Sequence, residues 1–370
     1  MSDTPSMLLV GVGTAGCAIA RGVNRAFGEG LRYLLVDTDA ATSGPDEPFL
    51  LLGGNRLSGR GAGGDTVAAS TAAEESISTV DEHLEGVRIA VIVTALGGGT
   101  GCGATHELLK HLAARGIPSV VFATTPFAFE SSERRHQAET IVPMIEDVAN
   151  ATFVLPLDKL VSGEDNMNEA MRRAVDTVAT GVTLFWRLVS KPGYIRLDTE
   201  RLRHLVVRAG RGRFAAVTAQ GPDRANEAIN QLIRSEMLAG STTPVQAILC
   251  GVLAGDDLRL AEVGQISDGL RYAFGDRLGF DLGTVNDEAT FSGRLSVVVM
   301  LFESGTKDVA DAPVDETATT AGRKSGHRAR GPLGVGPTGR GRFNNAETTI
   351  WHGEDLDIPT FKRRGINLDF

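Results

Sequence analysis

Two glycine clusters carry the chemistry that this sequence can be expected to do. The first, GVGTAG, holds Gly11, Gly13 and Gly16 directly after the apolar run MLLVGV. The second, GGGTGCG, follows RIAVIVTA and holds Gly97, Gly98, Gly99, Thr100, Gly101 and Gly103. Glycine at these spacings lets a backbone turn tightly and approach a ligand with no Cβ in the way. Where such a loop opens a helix, successive N–H groups and the helix N-terminus form a nest for an anion, phosphate above all. Taken alone, the first cluster also fits a dinucleotide fingerprint, with Asp37 closing the second strand-like run where a ribose-binding acid would stand. That keeps an NAD-linked oxidoreductase as an alternative, although such an enzyme has no need of the second loop.

Loops of this kind require strands to leave and helices to open. From Met7 to about Pro156 the runs MLLVGV, RYLLVD, RIAVIVTA, PSVVFATT and TFVLP alternate with helical patterns after Gly16, around Thr66 to Leu84, after Gly101 and after Glu130. This alternation predicts an α/β fold, a parallel Rossmann-like sheet wrapped by helices, with ligands at the carboxyl ends of its strands. Residues 1–165 are therefore read as a phosphate-binding domain. A helical pattern follows from Asn166 to Val189, with Met167, Met171, Val175, Val178, Val182 and Phe185 on one face and Pro192-Gly193 as its stop. Residues 166–190 form the expected central connecting helix. A smaller α+β domain is expected over 191–304, with RFAAVTAQ, VQAILCGVLA and GRLSVVVMLF as strands and DRANEAINQLIRSEM as a helix. After Ser304 the apolar runs vanish, so 305–352 reads as a disordered linker. A flexible coil of about 47 residues would span roughly 35 to 40 Å. Apolar residues return in 353–370, GEDLDIPTFKRRGINLDF, which reads as a docking peptide.

Composition narrows the classes. The chain has 370 residues, 42% hydrophobic and 22% charged, which suits globular domains. Its net charge of −9 provides no whole-chain attraction for nucleic acid or an anionic membrane. The basic stretch Arg323, Lys324, Arg328, Arg330, Arg340 and Arg342 reads equally as a solubilising linker. No run approaches the roughly 18 apolar residues of a membrane span, so any membrane contact is expected to be indirect. Cys17, Cys102 and Cys250 lack CxxC spacing, and the seven histidines show no ligand grouping. A cytoplasmic protein without disulfides or a metal site is expected. Cys17 and Cys102, one in each glycine loop, read as small-residue filling.

With these motifs in place, the sequence resembles the FtsZ family over nearly its whole length. GGGTGCG matches the tubulin-type signature GGGTGTG, with Cys102 for the second threonine. LVDTDA (Leu35 to Ala40) resembles NTDA, GAGGD (Gly61 to Asp65) resembles GAGAN, and TPFAFESSERR (Thr125 to Arg135) resembles KPFxFEGxxR. Further on, KPG (Lys191 to Gly193), GPDRANEA and DLRLAEV (Asp257 to Val263) resemble RPG, GEDRAxEA and DLRLDEV. DLDIPTFKRR resembles the family's C-terminal peptide DxDIPxFLRR. The resemblance implies the tubulin/FtsZ fold, GTP or GDP binding with Mg²⁺, and head-to-tail polymerisation at a bacterial division site. Asp357, Ile358, Pro359, Phe361 and Arg363 would dock a membrane tether such as FtsA or ZipA. Glu130 and Arg134 match the family's acidic and basic residues beside sugar and phosphates.

Elsewhere the family pattern breaks. The residues that would contact guanine correspond to Ala18, Leu157, Met171 and Val175, so guanine preference is expected to be relaxed. Asp176 is the candidate substitute, with Asn166 and Asn168 near it in sequence, and Met171 and Val175 read as helix core. The family's catalytic NxDxxD, which reaches the next subunit's nucleotide, reads Arg196-Leu197-Asp198-Thr199-Glu200-Arg201 here. Asp198 is kept, Arg196 and Arg201 are not acids, and a guanidinium cannot serve as a base. Either Glu200 supplies the second carboxylate after a one-residue shift, or the site binds without cleaving. A GTP-dependent polymer and a noncatalytic scaffold or copolymer partner of a conventional FtsZ both remain open.

Overall fold

Each apolar run expected as a strand before residue 157 pairs with a parallel neighbour in the computed structural model, which describes residues 7–28, 30–161, 166–191, 193–197, 199–239, 243–303, 350–351 and 354–355. In chain order the main elements are β1 (Met7–Val12), α1 (Gly13–Phe27), β2 (Tyr33–Asp37), β3 (Phe49–Leu51), α2 (Gly54–Leu57), α3 (Thr66–Ser76), β4 (Ile89–Ala95) and α4 (Gly99–Ala114). They continue with β5 (Ser119–Thr125), α5 (Ser132–Val148), β6 (Ala151–Pro156), α6 (Met167–Ser190), α7 (Thr199–Ala209), β7 (Gly210–Gln220) and α8 (Arg224–Arg234). Last in this body come β8 (Val245–Ala254), α9 (Leu260–Phe274), β9 (Gly279–Asn286), α10 (Glu288–Phe291) and β10 (Arg294–Glu303).

All ten strands share one sheet, ordered β3-β2-β1-β4-β5-β6-β7-β10-β8-β9. β3 through β7 run parallel, whereas β10 is antiparallel to both of its neighbours, β7 and β8. The order reverses between β1 and β4, so α1 and α4 leave on opposite faces with a crevice between them. On one face Cys17, Ile19, Ala20 and Val23 of α1 join Val178, Val182 and Phe185 of α6 in the core. On the other, Leu108, Leu109 and Leu112 of α4 pack with Ala138, Ile141 and Ile145 of α5. β1 is buried throughout because both faces of the sheet are covered.

β6 and β7 meet over only three register pairs, Ala151–Gly210, Thr152–Arg211 and Phe153–Gly212. Aromatic packing reinforces that seam. Phe122 stacks on Phe153 with centroids 5.3 Å apart and meets the edge of Phe214 at 4.9 Å, while Phe302 lies 5.9 Å from Phe153.

Six of these elements go beyond the sequence expectations: the short β3, α2 and α10, and the longer α7, α9 and edge strand β9. One expectation needs correcting. Met167 and Met171 share a helical face with Val178, Val182 and Phe185, yet they are 56% and 48% exposed. Matching periodicity buries a side chain only where another element covers it. α6 is covered near its middle, where Gly22 of α1 approaches Ala179 so closely that a Cβ on Gly22 would lie 2.9 Å from the Ala179 Cβ. Val175 is partly buried against the core.

Residues 1–312 form one compact unit and 313–370 another. In the second, Ile350–Trp351 pairs antiparallel with Glu354–Asp355. The rest of the expected linker, and the expected docking residues Asp357, Ile358, Pro359, Phe361 and Arg363, lie outside the described residues.

Candidate functional site

At the β1/β4 crevice lies a cavity of about 370 Å³, lined by the first residues of α1 and of α4. Neither helix has a side-chain N-cap, and neither carries an acid in its first turn. Among the other helices Asp65 caps α3, Ser131 caps α5 and Asn166 caps α6, while α2 and α8 also begin without a side-chain cap but do not line this cavity. Two helix starts are thus left with their first N–H groups and their positive dipole ends facing one space. An anion is the partner they lack.

The candidate glycines differ in what a Cβ would meet, and Gly99 and Gly101 both line the cavity and are crowded from behind, with a Cβ 2.8 Å from Asp65 O and 2.0 Å from Ala95 O. Gly13 has φ +75° and faces the Gly101 backbone across the crevice, and Gly98 has nothing within 4 Å. Gly13, Gly98, Gly99, Thr100 and Gly101 line the cavity. Gly11, Gly16, Gly97 and Gly103 stand behind that lining. A Cβ on Gly16 would lie 2.5 Å from Val93 O, and one on Gly103 would lie 2.3 Å from Thr66 O. These four let helices and loops close up against the sheet.

Hydrogen bonds tie the loops to one another. Thr38 and Thr100 share a 2.6 Å hydroxyl contact between the end of β2 and the second glycine loop. Asp37 is 1% exposed and accepts four bonds: from the N–H groups of Thr38 at 2.7 Å and Asp39 at 3.4 Å, and from the hydroxyls of Thr14 at 3.0 Å and Thr42 at 2.7 Å. Two carboxylate oxygens offer about four lone-pair sites. Asp37 therefore spends its acceptors on the loop, which leaves the ribose role that favoured an NAD-linked oxidoreductase without a free group.

The two loop cysteines are buried and bonded within their own loops. Gly97 N–H donates to Cys102 Sγ at 3.1 Å, and the Cys17 thiol donates to Gly11 O at 3.4 Å. Burial pushes the Cys17 thiol up to about 12, and raises Cys102 as well. Both act as neutral filling.

Arg134, on α5, lines the cavity, and its guanidinium bonds Glu130 at 2.6 Å. Glu130 also accepts the Phe127 N–H at 3.0 Å, so it fixes the β5–α5 loop beside the cavity rather than lining it. Asp176 is exposed on α6 and is not among the lining residues. Sequence reasoning missed Arg60, which lines the cavity, and it read Asp39 only as part of a motif. Asp39 uses one carboxylate oxygen on the Ala41 N–H at 2.9 Å. Among the described residues no group of three or more His, Cys, Asp or Glu converges on a metal site. Asp39 is the lining carboxylate with an oxygen that could be offered to a cation.

The segment that carries Arg196 lies far from this cavity. Because β6 and β7 are parallel neighbours, the chain between them must return from carboxyl to amino ends. α6 makes that passage with 24 residues, roughly 36 Å at 1.5 Å per residue. Near its end Arg187 bonds Ala26 O at 3.1 Å, at the end of α1 that is distant from the cavity. The segment then docks on β9, where Ile195 and Thr284 exchange bonds of 2.9 and 2.7 Å. Asp198 lies outside the described residues; Glu200 falls in the first turn of α7, and its side chain, like that of Arg201, is outside them.

The model of the Tubulin/FtsZ family, GTPase domain, matches residues 6–163. A cell division protein FtsZ from Pseudomonas putida is 28% identical over 368 residues, covering 98% of this chain and 89% of that protein. Among solved structures, an empty FtsZ dimer from M. jannaschii superposes with a TM-score of 0.75 at 21% identity, covering 84% of this chain and 95% of that one. A GTPγS-bound protofilament of CetZ2 from Haloferax volcanii gives a TM-score of 0.69 at 22% identity, covering 82% and 94%. At these identities the structures speak for the fold, which is that of tubulin and FtsZ.

Proposed function

We propose that this chain, whose residues 6–163 match the Tubulin/FtsZ GTPase-domain model, is a nucleotide-dependent cytoskeletal protein of cell division that stacks head to tail. The observation that carries this reading is the pair of uncapped helix starts converging on one cavity, an arrangement suited to the phosphates of GTP or GDP. The glycines at the lining give the phosphates close backbone approach, and Arg134 adds charge at the rim. Bound Mg²⁺ would neutralise phosphate charge there. Guanine preference is relaxed, because Met171 and Val175 offer no hydrogen bond to a base edge.

Stacking follows from the length of α6. Arg196 stands a helix length away from the chain's own cavity, so the segment to which it belongs is suited to serve the cavity of another copy. In that reading Asp198, with Glu200, orients the attacking water on the neighbour's nucleotide. The filament is cytoplasmic and gathers at the division site through the C-terminal peptide, whose Asp357, Ile358, Pro359, Phe361 and Arg363 engage an FtsA- or ZipA-like tether. A second reading, a scaffold or copolymer partner of a conventional FtsZ that binds nucleotide without cleaving it, is favoured by Arg201 standing where the family has an acid.

Nucleotide extracted from the purified protein tests the central part. The expected result is close to one nucleoside di- or triphosphate per chain after purification with Mg²⁺. Protein that carries none and takes up neither GTP nor ATP contradicts the proposal. Phosphate release then separates the two readings.

A further inference from the structure

We infer that Arg60 is a ligand of the phosphate chain and sets a preference for triphosphate over diphosphate, an inference that rests on the nucleotide-binding reading above. Arg60 lines the cavity together with Gly61, Ala62, Gly63 and Gly64, a loop that packs against the start of α4, where a Cβ on Gly99 would lie 3.1 Å from the Ala62 Cβ. Its backbone is held firmly. Asp39 and Arg60 form an antiparallel bridge, Ala40 N–H bonds Gly59 O at 2.9 Å, and Gly61 N–H bonds Thr38 O at 3.1 Å. Thr38 is in turn joined to Thr100 of the second glycine loop at 2.6 Å. The stretch that presents Arg60 is thereby fastened to the loop that would cradle phosphates, and a ligand bound to one bears on the other.

Charge singles this residue out. The lining contains two cations, Arg60 and Arg134, and two carboxylates, Asp37 and Asp39. Arg134 is engaged by Glu130, and Asp37 is saturated by four donors. Among the described residues Arg60 makes no ion pair and no side-chain hydrogen bond, whereas the Arg134 guanidinium and the Thr14 and Thr100 hydroxyls that also line the cavity all have partners. An arginine fixed by its backbone and free at its guanidinium is suited to bidentate recognition of a phosphate. The helix starts offer neutral donors and partial charge, and these serve two phosphates. A third phosphate brings further negative charge, and Arg60 supplies the full positive charge that meets it.

The inference is tested by equilibrium binding of GTP and GDP to full-length wild type, Arg60→Ala and Arg60→Lys, with inorganic tripolyphosphate and pyrophosphate as base-free competitors. Loss of a charge-assisted contact should weaken GTP binding to Arg60→Ala by about tenfold or more, with a much smaller change for GDP. Tripolyphosphate should lose its competitive advantage over pyrophosphate, and Arg60→Lys should recover part of it. Melting of the ligand-free variants should match wild type, since the side chain is exposed. Equal GTP affinity in wild type and Arg60→Ala, or equal losses for GTP and GDP, overturns the assignment while leaving the site intact. A wild type that binds none of the four probes overturns the nucleotide reading itself.

Discussion

Gly98 and Gly103 stand in one loop and do different things. Gly98 has open space where a Cβ would go and lines the cavity, whereas a Cβ on Gly103 would lie 2.3 Å from the carbonyl of Thr66. Gly98→Ala should therefore melt like wild type and yet bind GTP at least several-fold more weakly, because its methyl group occupies the phosphates' approach. Gly103→Ala should lower the melting temperature, since backbone has to move to admit the methyl, an overpacking cost of about 1–3 kcal/mol. Thermal melts beside binding isotherms check both. At this scale the sequence was partly legible. Spacing identified both glycine clusters, but spacing could not say which glycines meet ligand and which meet protein, because that depends on what the fold sets against each one. Arg60 carried no signal at all, being a lone cation between Gly59 and Gly61. Its importance comes from the cavity on which the loop lands.

Among elements, α8 and α9 explain two of the motifs that drew attention in the sequence. Arg224, from GPDRANEA, has a side chain 5% exposed and bonds Glu262 at 2.7 Å and Asp257 at 2.7 Å, both from DLRLAEV. The motifs are two halves of one ionic clamp. Arg224→Leu should cost about 3 kcal/mol near neutral pH, because it leaves carboxylates without their partner in a partly desolvated site. The hydrogen bond from Arg224 holds the Glu262 carboxyl below its ordinary range. A depressed carboxyl stabilises the fold above its unfolded pKa, about 4.3, and the contribution is lost as pH falls through the lower folded value. The gap between the melting temperatures of wild type and Arg224→Leu should accordingly be full at pH 6 to 7 and narrow below about pH 4. A gap that is constant with pH would count against the clamp.

The elements missed in the sequence have a common cause. β9, GFDLGTVN, is an edge strand with two glycines and partial burial, so alternation is faint. α9 buries Val263, Ile266 and Leu270 but exposes Leu260 and Tyr272, which blurs its stripe. The two methionines at the start of α6 failed in the opposite direction: their pattern was right, but among the described residues they stay 56% and 48% exposed.

In the whole molecule, the decisive feature is distance. The cavity lies at the carboxyl ends of the parallel strands, and the segment around Arg196 lies beyond the far end of a helix roughly 36 Å long. The parallel sheet, the long helix and the strands β7, β8 and β10 were legible because each rests on long hydrophobic runs. The separation between the two functional ends was not, since it emerges only once β6 and β7 are known to be parallel neighbours. The central claim of the proposal is that stacking copies completes two partial sites at opposite ends of one chain. Sedimentation of the full-length protein in GTP, in GDP and without nucleotide tests it most directly. The account predicts a polymer that pellets with GTP and Mg²⁺ above a critical concentration and stays in solution without nucleotide; protein that remains in the supernatant with every nucleoside triphosphate, or that pellets equally without any, would contradict it.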